Sequence, residues 1–433
     1  MLPSHWQGCK RVLSRSTISA GSRGLGAVAG PPPVPPPALP GRGRSPLAVV
    51  FLTVFLDLVG FGIVIPLMPL YAERFGAGPV AVTWLLAVYS LMQFFLAPWW
   101  GRLSDRVGRR PVLLVGIAGS ALSYLAFGLA GSLGMLFAAR IVNGAMGANV
   151  GVAQAYIADV IPPAERARGM GMIGAAFGLG FIFGPAIGGL LSRIDPAAPF
   201  LGAAALAGAN GVLAYFRLPE SLPAHLRATI PRRETGLRAR LRTVAQSPPV
   251  LRGLYAVSFI TTLGLAGMEA TLSLWADRRW GLSQEAVGYG FAAMGVVAAL
   301  AQGLMVGRLV RRVGERRAAL LGLALAAVGM ACVPLAPSPA WVLAAAAVFA
   351  VGQGATVPSV SAMISRQGGA SEQGRVLSAS QSLSAAARVV GPWWAGIAFA
   401  HVGISVPYLA AAALALVALG VLAVAVRGGE VAA

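Results

Sequence analysis

Long apolar segments follow one another along most of this chain, and the short gaps between them hold nearly all of its charge. A helix needs about 20 apolar residues to cross ~30 Å of hydrocarbon. Because backbone polar groups inside a bilayer must bond within the protein, helices are the form that isolated runs of this length can take. The sequence therefore predicts an all-α membrane protein. The predicted spans lie near residues 46–70, 81–100, 111–130, 134–160, 169–191, 199–216, 250–276, 285–308, 318–336, 340–364, 375–400 and 404–426.

The charge content excludes several other classes of protein. Charged residues make up 11% of the chain, against about 25% in soluble domains. The net charge of +20 comes from Arg residues in the gaps between spans. They form no continuous basic face with interleaved aromatic residues, so nucleic acid is not an expected partner. We find no spacing typical of a catalytic or metal-binding site, and we expect no enzymatic activity, no cofactor and no metal.

The twelve predicted spans divide into two groups of six. We predict one six-helix bundle over residues 46–216 and a second over 250–427, joined by an Arg-rich cytoplasmic linker at 217–249. Residues 1–45 are rich in Pro and are predicted to be a disordered tail. The Arg residues concentrate in the gaps after even-numbered spans, and positively charged loops stay in the cytoplasm. Both termini are therefore predicted to be cytoplasmic.

The two groups of spans repeat one another in sequence. The segment "GRLSDRVGRR" at 101–110 recurs as "GRLVRRVGER" at 307–316, and "GPAIGG" at 184–189 recurs as "GPWWAG" at 391–396. The separations between paired segments are almost equal, which indicates two copies of one unit. Transporters built from such repeats bind their substrate near the membrane midplane, between the copies, and work by alternating access.

Four ionisable residues lie inside predicted spans: Asp57, Arg140, Glu269 and Arg388. A charge at the centre of a bilayer costs about 2.5–3.5 kcal/mol on insertion scales, so such residues are candidates for function. Two acids and two bases would allow pairing across a cavity. We predict that Asp57 and Glu269 carry protons or contact a cationic substrate. The alternative is that these acids lie near the interface or pair structurally.

Several motifs resemble those of the major facilitator superfamily. Within it, the chain is similar to the twelve-helix drug:H⁺ antiporters, and to the tetracycline efflux proteins in particular. The motifs are "FLDLVGFGIVIPLMPLY" (55–71), "GRLSDRVGRRPVLL" (101–114), "RIVNGAMGA" (140–148), "AYIADVIPPAERARGMG" (155–171) and "GAAFGLGFIFGPAIGGLL" (174–191). The resemblance implies two pseudo-symmetric six-helix bundles and a multi-pass protein of a bacterial inner membrane.

The resemblance also assigns roles to individual positions. It implies that residues 101–110, called the gate loop below, lock the outward-open state, and that Arg140 takes part in proton transfer. Gly101 and Gly108 are expected to make turns at helix ends, and Asp105 to accept from Arg and from helix N-terminal amides. The gate-loop candidates are Gly101, Asp105, Arg106, Gly108, Arg109 and Arg110. The candidates in the antiporter motif of the fifth span, which the resemblance links to transport direction, are Gly180, Gly184, Pro185, Gly188 and Gly189.

The sequence departs from the tetracycline pumps at two positions. Those pumps carry acids in their third and ninth helices, where this chain has Ser123 and Ala326. Tetracycline itself is therefore a doubtful substrate.

These features predict a proton-coupled exporter of small amphipathic molecules, working as a monomer with the bilayer, protons and substrate as its partners. The alternatives are a facilitator or importer of a metabolite in the same fold, and a membrane receptor that transports nothing.

Overall fold

The computed structural model describes residues 46–147, 149–162, 165–227, 237–367 and 373–427. Within these ranges the chain is helical, as the sequence predicts. The predicted tail at 1–45 lies outside the described residues. The helices are α1 (Pro46–Glu73), α2 (Pro79–Val107), α3 (Arg109–Gly128), α4 (Leu133–Met146), α5 (Asn149–Val160), α6 (Arg166–Leu191), α7 (Ala198–Arg217), α8 (Ala224–Arg227), α9 (Leu237–Gln246), α10 (Pro249–Trp280), α11 (Gln284–Ala301), α12 (Gly307–Cys332), α13 (Pro339–Gln367), α14 (Gln373–His401) and α15 (Val406–Arg427), with a π-helical turn at Gln302–Val306.

Ten helical stretches in the described ranges are long and apolar enough to cross a membrane. One of them, Gln284–Cys332, runs over 49 residues. At about 1.5 Å per residue it is more than twice the ~30 Å thickness of the hydrocarbon, so it can hold two spans. Helix α14 has 29 residues but is not among the ten, because Arg and Ser side chains lower its hydropathy. The count of twelve spans therefore stays a prediction.

A glycine with positive φ marks the same place in both sequence repeats. Helix α2 ends at Val107, and Gly108 follows with φ of 107°. The matching residue of the second repeat, Gly314, has φ of 78° and interrupts α12. Side chains with a Cβ rarely adopt this region, so glycine suits both breaks. Gly101, expected to make a turn, instead lies inside α2 and has no positive φ, since the helix continues through it for another turn and a half.

The predicted fourth span, 134–160, is not one continuous helix. Helix α4 ends at Met146 and α5 begins at Asn149, so the break falls deep within the span. Irregular backbone at membrane depth is tolerated where protein groups satisfy it. Here α2 supplies the donors: Gln93 Nε2 donates to the Gly147 carbonyl at 2.6 Å, and Trp100 Nε1 donates to the Ala145 carbonyl at 2.6 Å.

Two sets of helices make up the membrane part. The N-terminal set comprises α1 to α7 and the C-terminal set α10 to α15. Contacts between the sets run mainly along two pairs of helices, α2 with α14 and α6 with α11. Apolar residues of both sets meet in one shared core, in which Leu67 of α1 and Trp275 of α10 are fully buried.

The region predicted as a linker, 217–249, contains the short helices α8 and α9, and Arg240 on α9 donates to Ser382 on α14 at 2.9 Å.

Candidate functional site

The antiporter motif in α6 has two packing faces. Gly180, Gly184 and Gly188 face α1 within the N-terminal set, where Gly184 meets the backbone of Gly62. Pro185 and Gly189 face the other set, where both contact Gly288 of α11. Glycines allow two helices to approach until their backbones touch. The motif therefore joins α6 to its own set and to the opposite set at once.

The two helix sets touch at one end of α6 and separate toward the other. A Cβ placed on Gly288 would come within 2.7 Å of Gly189, and one on Gly295 within 2.8 Å of the Phe181 carbonyl. Farther along the same stripe of α6, a Cβ on Gly178 or Gly174 would meet nothing within 4 Å. A cleft thus opens between the sets toward the end that carries the gate loop, called the loop end below.

Polar contacts between the sets gather at the end away from the gate loop, called the closed end. Arg278 of α10 pairs with Glu73 of α1 at 2.5 Å. Arg193, just after α6, pairs with Glu285 of α11 at 3.5 Å. The Ser273 hydroxyl donates to the Pro66 carbonyl at 2.7 Å, which fastens α10 to α1 nearer the middle of the helices. Among the described residues the two sets are therefore joined at this end, and α6 and α11 separate toward the loop end.

Arg140 is fully buried beside the break between α4 and α5. Its Nε donates to the Leu85 carbonyl at 3.2 Å and its Nη1 to Asn143 Oδ1 at 3.3 Å. The guanidinium carbon lies 4.6 Å from the centre of the Tyr89 ring, in cation–π geometry. Its Nη2 is buried without a hydrogen-bond partner among the described residues. A buried cation that contacts only neutral groups carries a large uncompensated desolvation cost, which is typical of a functional position.

Asp57 lies near the middle of α1 and is half-buried. Its Oδ1 accepts from Asn149 Nδ2, at the first residue of α5, at 3.1 Å. A small cavity beside it is lined by Thr53, Leu113 and Ile117. The carboxyl therefore has a neutral hydrogen-bond donor and no ion pair among the residues described. The predicted pairing of Asp57 with a base across a cavity is not observed.

Glu269 lies on α10 and Arg388 on α14, two helices that pack against each other, and both residues are exposed. In the part of the chain that the structure describes, no ion pair or hydrogen bond involves either side chain. Arg388 nevertheless lies close enough to Glu269, and to Tyr89 of α2, to act on both electrostatically. Among the described residues, the four predicted intramembrane charges form no ion pair with one another.

Arg109 is the centre of the gate loop. Its side chain is almost fully buried, and Nη1 donates to Asp105 at 2.5 Å and to the Ser104 hydroxyl at 2.7 Å. Its Nε donates to Asp159, at the end of α5, at 3.0 Å. One guanidinium therefore joins the ends of α2, α3 and α5 within the N-terminal set. Arg106 is exposed, and Arg110 donates to the Tyr215 carbonyl at 2.5 Å.

The helix N-terminal amides expected to bond to Asp105 are instead bound by Glu220, which the sequence gave no reason to select. Glu220 Oε1 accepts from the Arg109 amide at 2.8 Å and Oε2 from the Arg110 amide at 3.2 Å. The carboxylate thereby caps the positive N-terminus of α3 from more than 100 residues away. A Cβ on Gly108 would collide with it, at 2.3 Å from Oε2. A side chain at position 108 would therefore have to displace this carboxylate, in addition to straining the positive φ.

We expect Glu220→Gln to loosen the first turn of α3 and to lower the free energy of unfolding by about 1.5 kcal/mol, since hydrogen bonds to a charged group contribute roughly that much. Hydrogen exchange of the Arg109 and Arg110 amides should become faster. Glu165→Gln is the matched control, because Glu165 also stands before a helix but makes no side-chain cap. Equal exchange rates in the two variants would contradict the assigned cap.

The second repeat contains the same ion pair with its charges exchanged. Glu315 aligns with Arg109 in the repeat, and it pairs with Arg366 near the end of α13. Arg366 in turn occupies the place that corresponds to Asp159 at the end of α5. Arg311 stands where the repeat has Asp105. The two loops thus keep one contact in common, while the carboxylate of Asp105 belongs to the first loop alone.

The two positions that lack the acids of tetracycline pumps are both buried. The Ser123 hydroxyl donates to the Gly119 carbonyl one turn back at 2.7 Å, so its bonding is satisfied within α3. Ala326 packs in a small apolar cluster with Ala327 and Ala415. Neither position offers a charge to the cleft.

Comparison with known proteins agrees with this architecture. The family model of the Major Facilitator Superfamily matches residues 50–297 and 254–431. The chain is 35% identical to the class C tetracycline resistance protein of Escherichia coli, over 81% of this chain and 89% of that protein. It is 31% identical to the major facilitator superfamily domain-containing protein 10 of Bos taurus, over 87% of this chain and 92% of that protein.

A solved structure extends the comparison to three dimensions. The crystal structure of the human organic anion transporter MFSD10 (TETRAN) superposes with a TM-score of 0.68 at 26% identity, covering 88% of this chain and 100% of that one. The helix arrangement, the family match and the similarity to the tetracycline resistance proteins agree with one another. The chain is a multi-pass membrane protein that belongs to the major facilitator superfamily and is related to its tetracycline efflux pumps.

Proposed function

We propose that this protein is a proton-coupled antiporter that exports small amphipathic molecules by alternating access. The observation that carries the proposal is the surroundings of Asp57. Its carboxyl lies mid-helix in the membrane part, half-buried, and has a neutral amide as its hydrogen-bond partner. A carboxyl without a fixed cation can be protonated and deprotonated without breaking an ion pair, which a proton carrier requires.

The arrangement of the helix sets supports alternating access. The sets meet through glycine contacts and ion pairs at the closed end and separate at the loop end. Rocking one set against the other would break the closed-end contacts and bring the loop end together. Arg140 and Asp57 lie between these ends, beside a helix break whose backbone is already satisfied by α2. Protonation of Asp57 would remove a charge there and favour one arrangement over the other.

The orientation we propose rests on charge. Arg-rich loops remain cytoplasmic, so we place the loop end and both chain termini in the cytoplasm. The location in a bacterial inner membrane is proposed from the similarity to bacterial tetracycline resistance proteins, and export from the antiporter motif of α6. The curated relatives include a tetracycline resistance protein, and the structural relative is described as an organic anion transporter. Both support transport of small molecules, and they differ in what is carried. We propose a monomer without a cofactor, a metal or nucleic acid as a partner.

Proton flux in everted vesicles tests the proposal. With an acidic lumen reported by a quenched dye, tetracyclines and lipophilic cations are added to vesicles with wild type or with Asp57→Asn. We expect a transported compound to collapse the gradient in wild type and to leave it intact in Asp57→Asn, because the neutral amide cannot carry a proton.

The matched control is Asp195→Asn, in the loop before α7, where the residue caps the Ala197 amide. It should behave as wild type. If no compound moves protons in well-folded wild type, the protein is better described as a metabolite facilitator of the same fold. Undiminished flux in Asp57→Asn would remove Asp57 from the proton path.

A further inference from the structure

We propose that Glu269 and Arg388 together bind a zwitterion, so that the molecules this protein carries have an amine and an acidic group. The proposal rests on the proposed transport function and narrows its substrate class. Glu269 would bind the substrate's cation and Arg388 its anion, both from the C-terminal set. Asp57, in the N-terminal set, would remain free for protons.

The starting observation is that these two charges are exposed and unpaired, whereas Arg residues at the two ends of the helix sets are matched by acids. Arg109, Arg193 and Arg278 each form an ion pair. Glu269 and Arg388 are exposed in mid-helix positions and make no hydrogen bond or ion pair within the described ranges. Charges inside a membrane protein are costly and usually face a partner or a water-filled path. A ligand of matching charge would supply both partners.

The packing of α14 shows where Arg388 points. Gly391 and Ala395 contact α10, and Gly396 contacts Thr83 of α2. At about 100° per residue, Arg388 falls between these two directions, closer to the α10 side. Its side chain therefore projects into the angle between α10 and α2. This is the side of the cleft on which Tyr89 of α2 lies within its electrostatic reach.

The packing of α10 places Glu269 on the cleft as well. Gly264 faces Ala411 of α15, and Gly267 faces α14. Ser273 faces α1, since it donates to the Pro66 carbonyl. By the same helical geometry, Glu269 lies within about 40° of Ser273 and well away from Gly264. The carboxylate thus points toward α1, into the space between the two sets.

The two charges lie close but do not neutralise each other. Arg388 acts electrostatically on Glu269, yet no ion pair joins them. A ligand with one positive charge would be attracted by Glu269 and repelled by Arg388. A ligand with one negative charge would be attracted by Arg388 and repelled by Glu269. A zwitterion satisfies both charges at once, and hydrogen bonds to charged groups are among the stronger ones in proteins. The geometry therefore favours a substrate with both charges.

Binding of a matched series of probes tests the proposal without a proton gradient. The probes, compared at pH 6, are Nε-dansyl-lysine, which is a zwitterion, its methyl ester, which is a cation at this pH, and its Nα-acetyl derivative, which is an anion. All three share one amphipathic fluorophore. With purified protein in lipid nanodiscs, we expect the zwitterion to bind about tenfold more tightly than either other probe, as loss of one charged hydrogen bond predicts.

The variants assign each charge to its residue. With Arg388→Gln, the zwitterion should no longer bind more tightly than the methyl ester. With Glu269→Gln, the zwitterion should no longer bind more tightly than the acetyl derivative. The control is Arg308→Gln, on the exposed part of α12, which should retain the wild-type preference. Thermal unfolding of each variant confirms that it is folded.

Some outcomes would overturn the proposal. These are equal binding of the three probes to wild type, binding of none of them, or a preference that survives both substitutions. The result is separable from the proton assay. Asp57→Asn should lose proton flux and keep the preference for the zwitterion. Failure of the proton assay with an intact preference would reject proton coupling and leave the zwitterion site standing.

Discussion

Replacing Arg109 with Gln is expected to abolish transport and to lower the free energy of unfolding by about 3 kcal/mol. The substitution removes the only cation placed between Asp105 and Asp159 among the contacts described, and Arg109 is 6% exposed. Removing one partner of a buried pair typically costs 3–5 kcal/mol, and the partial exposure of Asp105 and Asp159 places the expected loss at the lower end of that range. Here Asp105 and the Ser104 hydroxyl lose the Arg109 donor, and Asp159 keeps only the Ser221 hydroxyl among the donors described. Denaturant unfolding in mixed micelles and substrate efflux from cells measure the two effects.

Arg106→Gln is the matched control for this prediction. Arg106 is in the same gate loop and carries the same charge, but it is exposed. Single exposed charges contribute between zero and about 1 kcal/mol, so its loss should change stability little. If both variants lost stability equally, the loop would act through its total positive charge rather than through the contacts of Arg109.

Replacing Gly288 with Val should prevent the closed end from forming and should stop transport. A Cβ at this position would lie 2.7 Å from Gly189 Cα and 2.8 Å from the Pro185 carbonyl. Both are backbone atoms of the opposite helix set and cannot yield as a flexible side chain would. The strain can be relieved by separating α6 from α11, because the contact lies between the sets and not inside one. Each set should therefore stay folded while the closed end opens.

Cross-linking across the closed end measures this change. In a background with both native Cys replaced by Ser, Glu73→Cys and Arg278→Cys introduce a pair at the site of the 2.5 Å ion pair. We expect efficient bridging by a short reagent in this background and at least a tenfold loss when Gly288→Val is added. Gly290→Val is the control, since a Cβ there meets nothing within 4 Å. Equal bridging in both variants would show that the Gly288 contact does not hold the sets together.

The gate loop acts within one helix set in this structure. The resemblance to antiporters implies that the loop locks the outward-open state, and here the loop end is open and Asp105 is bound by Arg109 of its own set. The contact of Arg109 with Asp159 corresponds in the second loop to that of Glu315 with Arg366, with the charges exchanged. The two loops would therefore present different charges to the groups that they meet when the loop end closes. The internal repeat has kept an ion pair at this place while exchanging the charges of its two partners.

The sequence by itself determined the fold class, the family and the positions of the intramembrane charges. Apolar runs of membrane length can only be helices, whatever their neighbours are, so α1 and α15 could be read directly. The turn at Gly108 was likewise predicted, because the need for positive φ is a local property of the backbone, but the turn expected at Gly101 is absent and the break at Gly314 was found only in the structure. Asp57, Arg140, Glu269 and Arg388 were selected because a charge is conspicuous in an apolar run.

Only the tertiary structure decided which polar groups meet. Glu220 binds the amides of Arg109 and Arg110, and Gln93 satisfies the break after α4, across separations of 111, 110 and 54 residues. It also decided that Glu269 and Arg388 remain unpaired and that the cleft opens toward the loop end. The physical reason is that burial follows from composition, which is local and visible in sequence. Hydrogen bonds and ion pairs depend on angles and distances of a few ångströms, and these are set by how the helices pack.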